Sequence, residues 1–174
     1  MVSFNFNETK TVEVLAYVAE RWNGITPFFL SKVLFFADRD HLRTYGRPVT
    51  GDTYIAMPAG PVPSRVYDIV KDNLDLFGDP KAIVEAIRID HNERFARVYS
   101  QRPPNLKMLS ETDTAALDES MRFCRSRTVS DLSAITHQEA AWAKAPINGA
   151  MDVELLVPED MREEIREVAA YTLL

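Results

Sequence analysis

The feature that most constrains this chain is the helix start at Thr26-Pro27 and the long apolar run behind it. Thr26 can cap free backbone N–H groups, and Pro27 sits at the first helical position, where its missing N–H is not needed. From Phe28 to about Tyr45, Phe29, Val33, Phe36 and Ala37 share one side, and Leu30 and Leu34 widen it. So broad an apolar face predicts a central, largely buried helix. Past Ala37 the sequence turns polar at Asp38, Arg39, Asp40, His41 and Arg43, so one end of the helix is expected in the core and the other at the surface. Gly46 predicts the stop, and Pro48 blocks continuation.

The remaining elements are read around that helix. An earlier helix spans about Asn7 to Trp22, with Val12, Leu15, Ala19 and Trp22 on its buried face and Asn23-Gly24 ending it. Thr53 to Met57 is a short strand candidate. Pro58, Gly60, Pro61 and Pro63 predict a rigid loop, and a third helix from about Pro63 to Leu74 carries Val62, Val66, Ile69 and Val70 as its apolar side. Gly78 to Pro80 is a turn. Ile83–Ile89 and Phe95–Tyr99 read as two strands joined by a hairpin over Asp90 to Arg94. Ser110 with Asp113 resembles a capping box opening a helix to about Cys124. Ser130 is expected to cap a short helix through Ile135, Gln138 to Ala145 forms another, and a last helix runs about Glu159 to Tyr171. This predicts an α+β, mainly α-helical domain with a small antiparallel β element. The order helix, helix, strand, helix, hairpin approximates a winged helix.

Composition narrows the classes. A chain of 174 residues is expected to fold as one domain over 1–174, since 46% hydrophobic and 26% charged residues give a core enough material and make disorder a poor reading. The single cysteine, Cys124, cannot form an internal disulfide and fits a reducing compartment. No stretch approaches the roughly 20 apolar residues of a membrane helix, and Met1 to Asn7 lacks the pattern of a signal peptide, so the expected location is the cytoplasm, with no membrane partner. A net charge of −6 disfavours non-specific nucleic-acid binding and favours encounter with a basic partner, although mild acidity is common in soluble proteins.

Residues that carry chemistry are sparse. The three histidines are His41, His91 and His137. Asp38 and His41 lie three apart on one helix, but a metal site needs three or four ligands, and no His-Glu-x-x-His or paired-cysteine spacing exists. Such a pair reads as a local hydrogen bond. Cys124 sits in an apolar helical pattern beside Phe123 and reads as packing. There is no G-x-S-x-G elbow, and Gly46, Gly51 and Gly60 are too far apart for a phosphate loop. The expectation is no enzyme, no metal and no cofactor.

The stretch Tyr45 to Tyr67 differs from the rest. Tyr45, Arg47, Thr50, Asp52, Tyr54, Arg65 and Tyr67 lie on a frame of turns and prolines. Tyrosine and arginine are favoured at binding surfaces because they combine apolar area with directional hydrogen bonds. The alternative, equally open at this point, is a structural loop whose tyrosines anchor helices.

Three ordered runs carry a resemblance: Lys32-Val-Leu-Phe-Phe-Ala-Asp-Arg-Asp-His-Leu-Arg-Thr-Tyr-Gly46, Arg47-Pro-Val-Thr-Gly-Asp-Thr-Tyr-Ile-Ala56, and Gly60-Pro-Val-Pro-Ser-Arg-Val-Tyr67. They resemble the Panacea domain, also called SocA-like, whose pattern reads K-L-L-Y-F-A-D, Y-G, P-[IV]-T-G-D-x-[YF]-x-A and G-P-V-P-x-x-[VI]-Y. A weaker match is Leu132-Ser-Ala-Ile-Thr-His137 followed by Trp142. Together these cover about residues 26–145, with the last helix, about 159–171, beyond them. Phe35 stands where the family often has Tyr, and Met57-Pro58-Ala59 departs from the usual approach to G-P-V-P.

The resemblance implies the antitoxin half of a toxin–antitoxin system, prokaryotic or phage, acting by protein–protein contact on a cognate toxin. The motif residues that would carry the contact are Asp38, Arg39, Tyr45, Arg47, Asp52 and Tyr54. Two alternatives stand beside it: an adaptor delivering the toxin to a protease, and a DNA-binding repressor with the third helix as reader. That helix offers Arg65 and Lys71 against Asp68, Asp72 and Asp75, a poor set for facing phosphates.

Overall fold

A computed structural model describes residues 1–172. Over these residues the protein is α+β and mainly helical, with two small antiparallel sheets of two strands each. Helix α1 (Glu8–Arg21) begins where the Asn7 side chain accepts from the Lys10 N–H at 3.0 Å. It is buried from Thr11 through Ala19, on more than the one face its periodicity marks, and Trp22 lies just past its end. Helix α2 (Pro27–Tyr45) starts at the expected place, with Thr26 extended and Pro27 in the first turn. The Thr26 side chain makes no capping bond, so proline geometry sets the start. Gly46 ends α2 in the left-handed conformation at φ 72°, its N–H reaching the Leu42 carbonyl at 3.0 Å.

The run from Leu30 through Asp38 is buried without interruption. This corrects the expected division of α2 into a core half and a polar half, since Asp38 and His41 are as enclosed as the leucines. Helix α2 packs chiefly on α5 (Glu111–Arg125), where the Ser120 hydroxyl donates to the Val33 carbonyl at 2.6 Å. The capping box that opens α5 is present in both directions, with Asp113 in the place more often held by Glu or Gln.

The Pro-rich stretch is not an irregular loop. Strand β1 (Tyr54–Met57) pairs antiparallel with β2 (Gly60–Pro63), Tyr54 opposite Pro63 and Met57 opposite Gly60. The other edge of β1 is covered by the later chain: Ala56 N–H donates to the Gly149 carbonyl at 2.9 Å and Met151 N–H to the Tyr54 carbonyl at 2.8 Å. Prolines on β2 cost no ladder bond where their missing N–H would face away from β1. Helix α3 (Ser64–Val70) is shorter than expected, because Lys71 leaves the helix and Asp72 turns to φ 59°.

Residues 83–86, expected as the start of a strand, are helical. In α4 (Pro80–Ala86) Asp79 caps the Ala82 N–H at 3.0 Å and Pro80 fills the first turn, so the chain becomes extended only afterwards. Strands β3 (Ile87–Asp90) and β4 (Arg97–Ser100) then pair antiparallel, and the Val98 N–H donates to the Ile25 carbonyl at 2.9 Å, tying this hairpin to the α1–α2 turn. Helix α6 (Val129–His137) is capped by Thr128 with Asp131, two residues before the expected Ser130. Helices α7 (Ala140–Ala143) and α8 (Arg162–Thr172) complete the order. That order is helix, helix, hairpin, helix, helix, hairpin, which adds a strand and a helix to the winged-helix-like expectation. The buried hydrophobic side chains form one cluster centred on α1 and α2.

Candidate functional site

The motif residues of α2 and the segment after it fold back on one another around Asp38. Asp38 is 3% exposed. Its Oδ1 accepts from the backbone N–H groups of Val49 at 2.7 Å and Thr50 at 2.9 Å, and its Oδ2 from the Thr50 hydroxyl at 2.5 Å and the Tyr54 hydroxyl at 2.8 Å. Burial raises the carboxyl above its usual range and outweighs the four donors that pull it down. The same burial and the nearby Asp38 push the Tyr54 hydroxyl well up, so it stays a donor. The 47–50 segment, a backbone turn that has no helix or sheet to satisfy it, is held to α2 by the Asp38 carboxylate at Val49 and Thr50 and by the His41 ring at the Arg47 carbonyl.

Asp52 does the equivalent for α3. Its oxygens accept from the N–H groups of Arg65 and Val66, each at 3.0 Å, and from the Ser64 hydroxyl at 3.3 Å. It caps, from outside, a helix whose own N-cap residue is Pro63 and supplies no side-chain acceptor. Burial pushes the Asp52 carboxyl up to about 6 despite those bonds. The Thr50 hydroxyl joins the two carboxylates' networks, accepting from the Asp52 N–H at 3.2 Å while donating to Asp38.

The cationic members are held elsewhere. Arg39 reaches across to α7's N-cap residue Glu139 at 2.6 Å and also to Asp40, and Arg43 takes the other Glu139 oxygen at 3.0 Å. Arg47 pairs with Asp113 at 3.0 Å. Asp113 also receives Lys10 at 2.8 Å, and although burial raises its carboxyl, Lys10 and the Ser110 cap hold it down at about 2. His41 does not bond Asp38: its Nδ1 lies 2.7 Å from the Arg47 carbonyl and its Nε2 3.0 Å from the Thr112 hydroxyl. Burial lowers the His41 pKa, so the neutral ring donates from Nδ1 to the carbonyl and accepts at Nε2. Tyr45 stands 54% exposed with its ring 4.6 Å from that of His41.

Of the six residues singled out from the sequence, Asp38 and Tyr54 meet directly and Asp52 joins them through Thr50. Arg39 and Arg47 belong to separate ion pairs, and Tyr45 faces outward. Asp38, Asp52 and Tyr54 are buried and the Arg39 side chain is only 15% exposed, which leaves Tyr45 and Arg47 as the open members of the set.

Sequence reasoning passed over a second internal junction. Lys32 is 1% exposed, and its ammonium donates to the Pro61 carbonyl at 3.0 Å beside the Phe28 ring. Burial pulls its pKa down to about 8. The α6–α7 element closes over the same hairpin: Ser133 donates to the Ala59 carbonyl at 3.1 Å, the Trp142 indole N–H to the Met57 carbonyl at 3.1 Å, and His137 stacks on Trp142 with ring centres 3.8 Å apart. A Cβ at Gly60 would fall 2.4 Å from the Thr136 hydroxyl, so the glycine is required there. The signal in the sequence was a lone lysine inside an apolar helical run. Among the described residues, no group of three His, Cys, Asp or Glu side chains is arranged to hold a metal ion, and no helix is long and apolar enough to cross a membrane. The intended DNA reader α3 buries Val66, Ile69 and Val70, and its Arg65 donates to the Leu76 carbonyl at 2.7 Å while lying over the Phe77 ring.

These junctions define a helical scaffold in which separated motifs are bonded to one another through buried polar groups. Residues 30–143 match the family model described as "Antitoxin SocA-like, Panacea domain", and the chain belongs to that family. Comparison with curated proteins and with solved structures returns no match.

Proposed function

We propose that this protein is the antitoxin of a toxin–antitoxin pair and neutralises its cognate toxin in the cytoplasm by direct contact, without catalysis. The observation that carries this reading is the family match across residues 30–143. It is supported by how the motif's polar groups are used: Asp38, Asp52 and Tyr54 spend their hydrogen-bonding capacity on the protein's own backbone and side chains. In this reading they hold the shape of the domain, taken as one unit over residues 1–174. Arg39, on the second half of α2, and Tyr45 and Arg47, at its end, are the motif residues that touch the partner. A stable complex buries roughly 1,200–2,000 Å² in total, so further contacts lie outside the motif. The internal use of Arg65 and the shortness of α3 favour protein binding over the repressor alternative.

The test is co-expression with the toxin encoded by the adjacent gene. Growth is expected to recover with the intact chain, and to recover less with Tyr45→Ala combined with Arg47→Ala. Failure of the intact chain to restore growth overturns the antitoxin reading. Full recovery with the double variant removes the α2 end from the contact surface.

A further inference from the structure

An open apolar groove of about 530 Å³ lies at the other end of α2, between its first turn, α3, the β3–β4 loop and the start of α6. Phe28 and Phe29 line one side, Tyr67 and Val70 another, and Phe95 and Val129 close it. Phe95 is 61% exposed and Val129 50%, with Tyr67 also open to solvent. Phe95 sits in a six-residue loop, after His91, Asn92, Glu93 and Arg94 and before Ala96, and is not among the buried residues of the core. Contiguous exposed apolar surface of this kind marks interaction sites. The volume falls within the ~300–1,000 Å³ typical of pockets that enclose a small ligand, here equivalent to a few side chains.

Two cations stand at the groove, each over one of its aromatic rings. Lys71 lies over the Tyr67 ring at 5.4 Å and the Arg94 guanidinium over the Phe95 ring at 5.3 Å. Neither has a carboxylate partner among the described residues, so both are free to meet an anionic group on a partner. His91, the third basic group on the rim, is held by Asp72 at 2.9 Å. In a chain of net charge −6, two unpaired cations flank its exposed aromatic groove. Two cations are too few for a phosphate backbone or an anionic membrane, both of which need a cluster.

We propose that this groove docks a short segment of the toxin in which an aromatic or branched apolar side chain is flanked by Asp or Glu. The apolar side chain fills the space between Phe28, Tyr67 and Phe95, and the carboxylates meet Lys71 and Arg94. The identity of the partner rests on the antitoxin reading; the chemistry of the groove does not.

Two arms keep those claims separate. In the first, a fluorescein-labelled twelve-residue peptide alternating Phe or Leu with Glu is titrated by anisotropy against the full chain, beside the same peptide with Lys for Glu. The acidic peptide is expected to bind at least tenfold tighter. Phe95→Asp, and Lys71→Glu with Arg94→Glu, each weaken it at least tenfold while thermal unfolding stays unchanged. Equal affinity for the two peptides, or indifference to the variants, overturns the groove assignment. In the second arm the same variants are co-expressed with the adjacent-gene toxin. Full rescue by both variants overturns the toxin as occupant and leaves the antitoxin reading standing. Absence of rescue by the intact chain overturns that reading, and with it the toxin as occupant, whatever the peptides do. A dimer in sedimentation that Phe95→Asp dissolves assigns the groove to a second copy and contradicts the proposal.

Discussion

The Tyr54 hydroxyl donates to Asp38 Oδ2 at 2.8 Å, joining the first strand to the middle of the central helix through two side chains only 2% and 3% exposed. They lie sixteen positions apart, and between them the same carboxylate also takes the Val49 and Thr50 N–H groups and the Thr50 hydroxyl. A buried carboxylate needs several donors to be tolerated, and the segment after α2 supplies them from its own backbone. Removing the donor and removing the acceptor are therefore unequal. Tyr54→Phe deletes one charge-assisted bond and is expected to cost ~1.5–3 kcal/mol. Asp38→Ala leaves two backbone N–H groups and two hydroxyls without their acceptor and is expected to cost more than about 3 kcal/mol. Urea unfolding at neutral pH measures both. A smaller effect at Asp38 than at Tyr54 would contradict the arrangement.

Asp52 makes stability depend on pH in a particular window. Its folded pKa is pushed up to about 6 by burial, above the carboxylate value of the unfolded chain, so the folded form holds the proton more tightly. Its contribution is present in full below the unfolded carboxylate range and is lost as pH rises through 6. Asp52→Asn abolishes that dependence. The stability difference between the parent and this variant is expected to shrink from pH 4 to pH 7 by up to ~3 kcal/mol. A difference that stays constant over that range would refute the assignment.

Asp113 behaves in the opposite sense and in a lower window. Held at about 2, below its unfolded value, it contributes stability that is present above the unfolded carboxylate pKa and is lost as pH falls toward 2. Asp113→Asn is expected to cost about 2 kcal/mol at neutral pH and to flatten the acid limb of the unfolding curve. Paired titrations of parent and variant by circular dichroism check both.

Two glycines separate backbone conformation from crowding. Gly46 and Gly60 both have positive φ, but a Cβ at Gly46 meets only Ile165 at 3.9 Å, whereas at Gly60 it collides with Thr136 and crowds Lys32 at 3.0 Å. Gly46→Ala is expected to cost ~1–2 kcal/mol from backbone strain alone. Gly60→Ala adds overpacking of ~1–3 kcal/mol. Equal melting temperatures for the two variants would contradict the close approach at Gly60.

Much of the helical frame was legible because its signals are local. Pro27, Gly46 and the Ser110–Asp113 box set helix ends through bonds made within a few residues. The errors share a cause: they fall where distant partners decide. Asp38 and His41 look like surface residues because a helix end that turns polar usually faces water, and only the returning 47–54 segment encloses them. Pro61 and Pro63 argue for a loop until β1 supplies the pairing edge. Residues 83–86 have the β-branched composition of a strand, but Asp79 and Pro80 open a helix first. Motif order marked Asp38, Asp52 and Tyr54 as important, yet importance to shape and importance to a partner leave the same trace in one sequence. The groove at Phe95 was invisible, since its walls come from four separated segments.

The measurement closest to the central claim is titration of the purified chain into purified toxin from the adjacent gene, with complex formation and toxin activity recorded together. A saturable complex is expected, with toxin activity falling in proportion to the complex formed and no change in the toxin's covalent mass. Loss of activity without a complex, or with a modified toxin, would contradict neutralisation by binding.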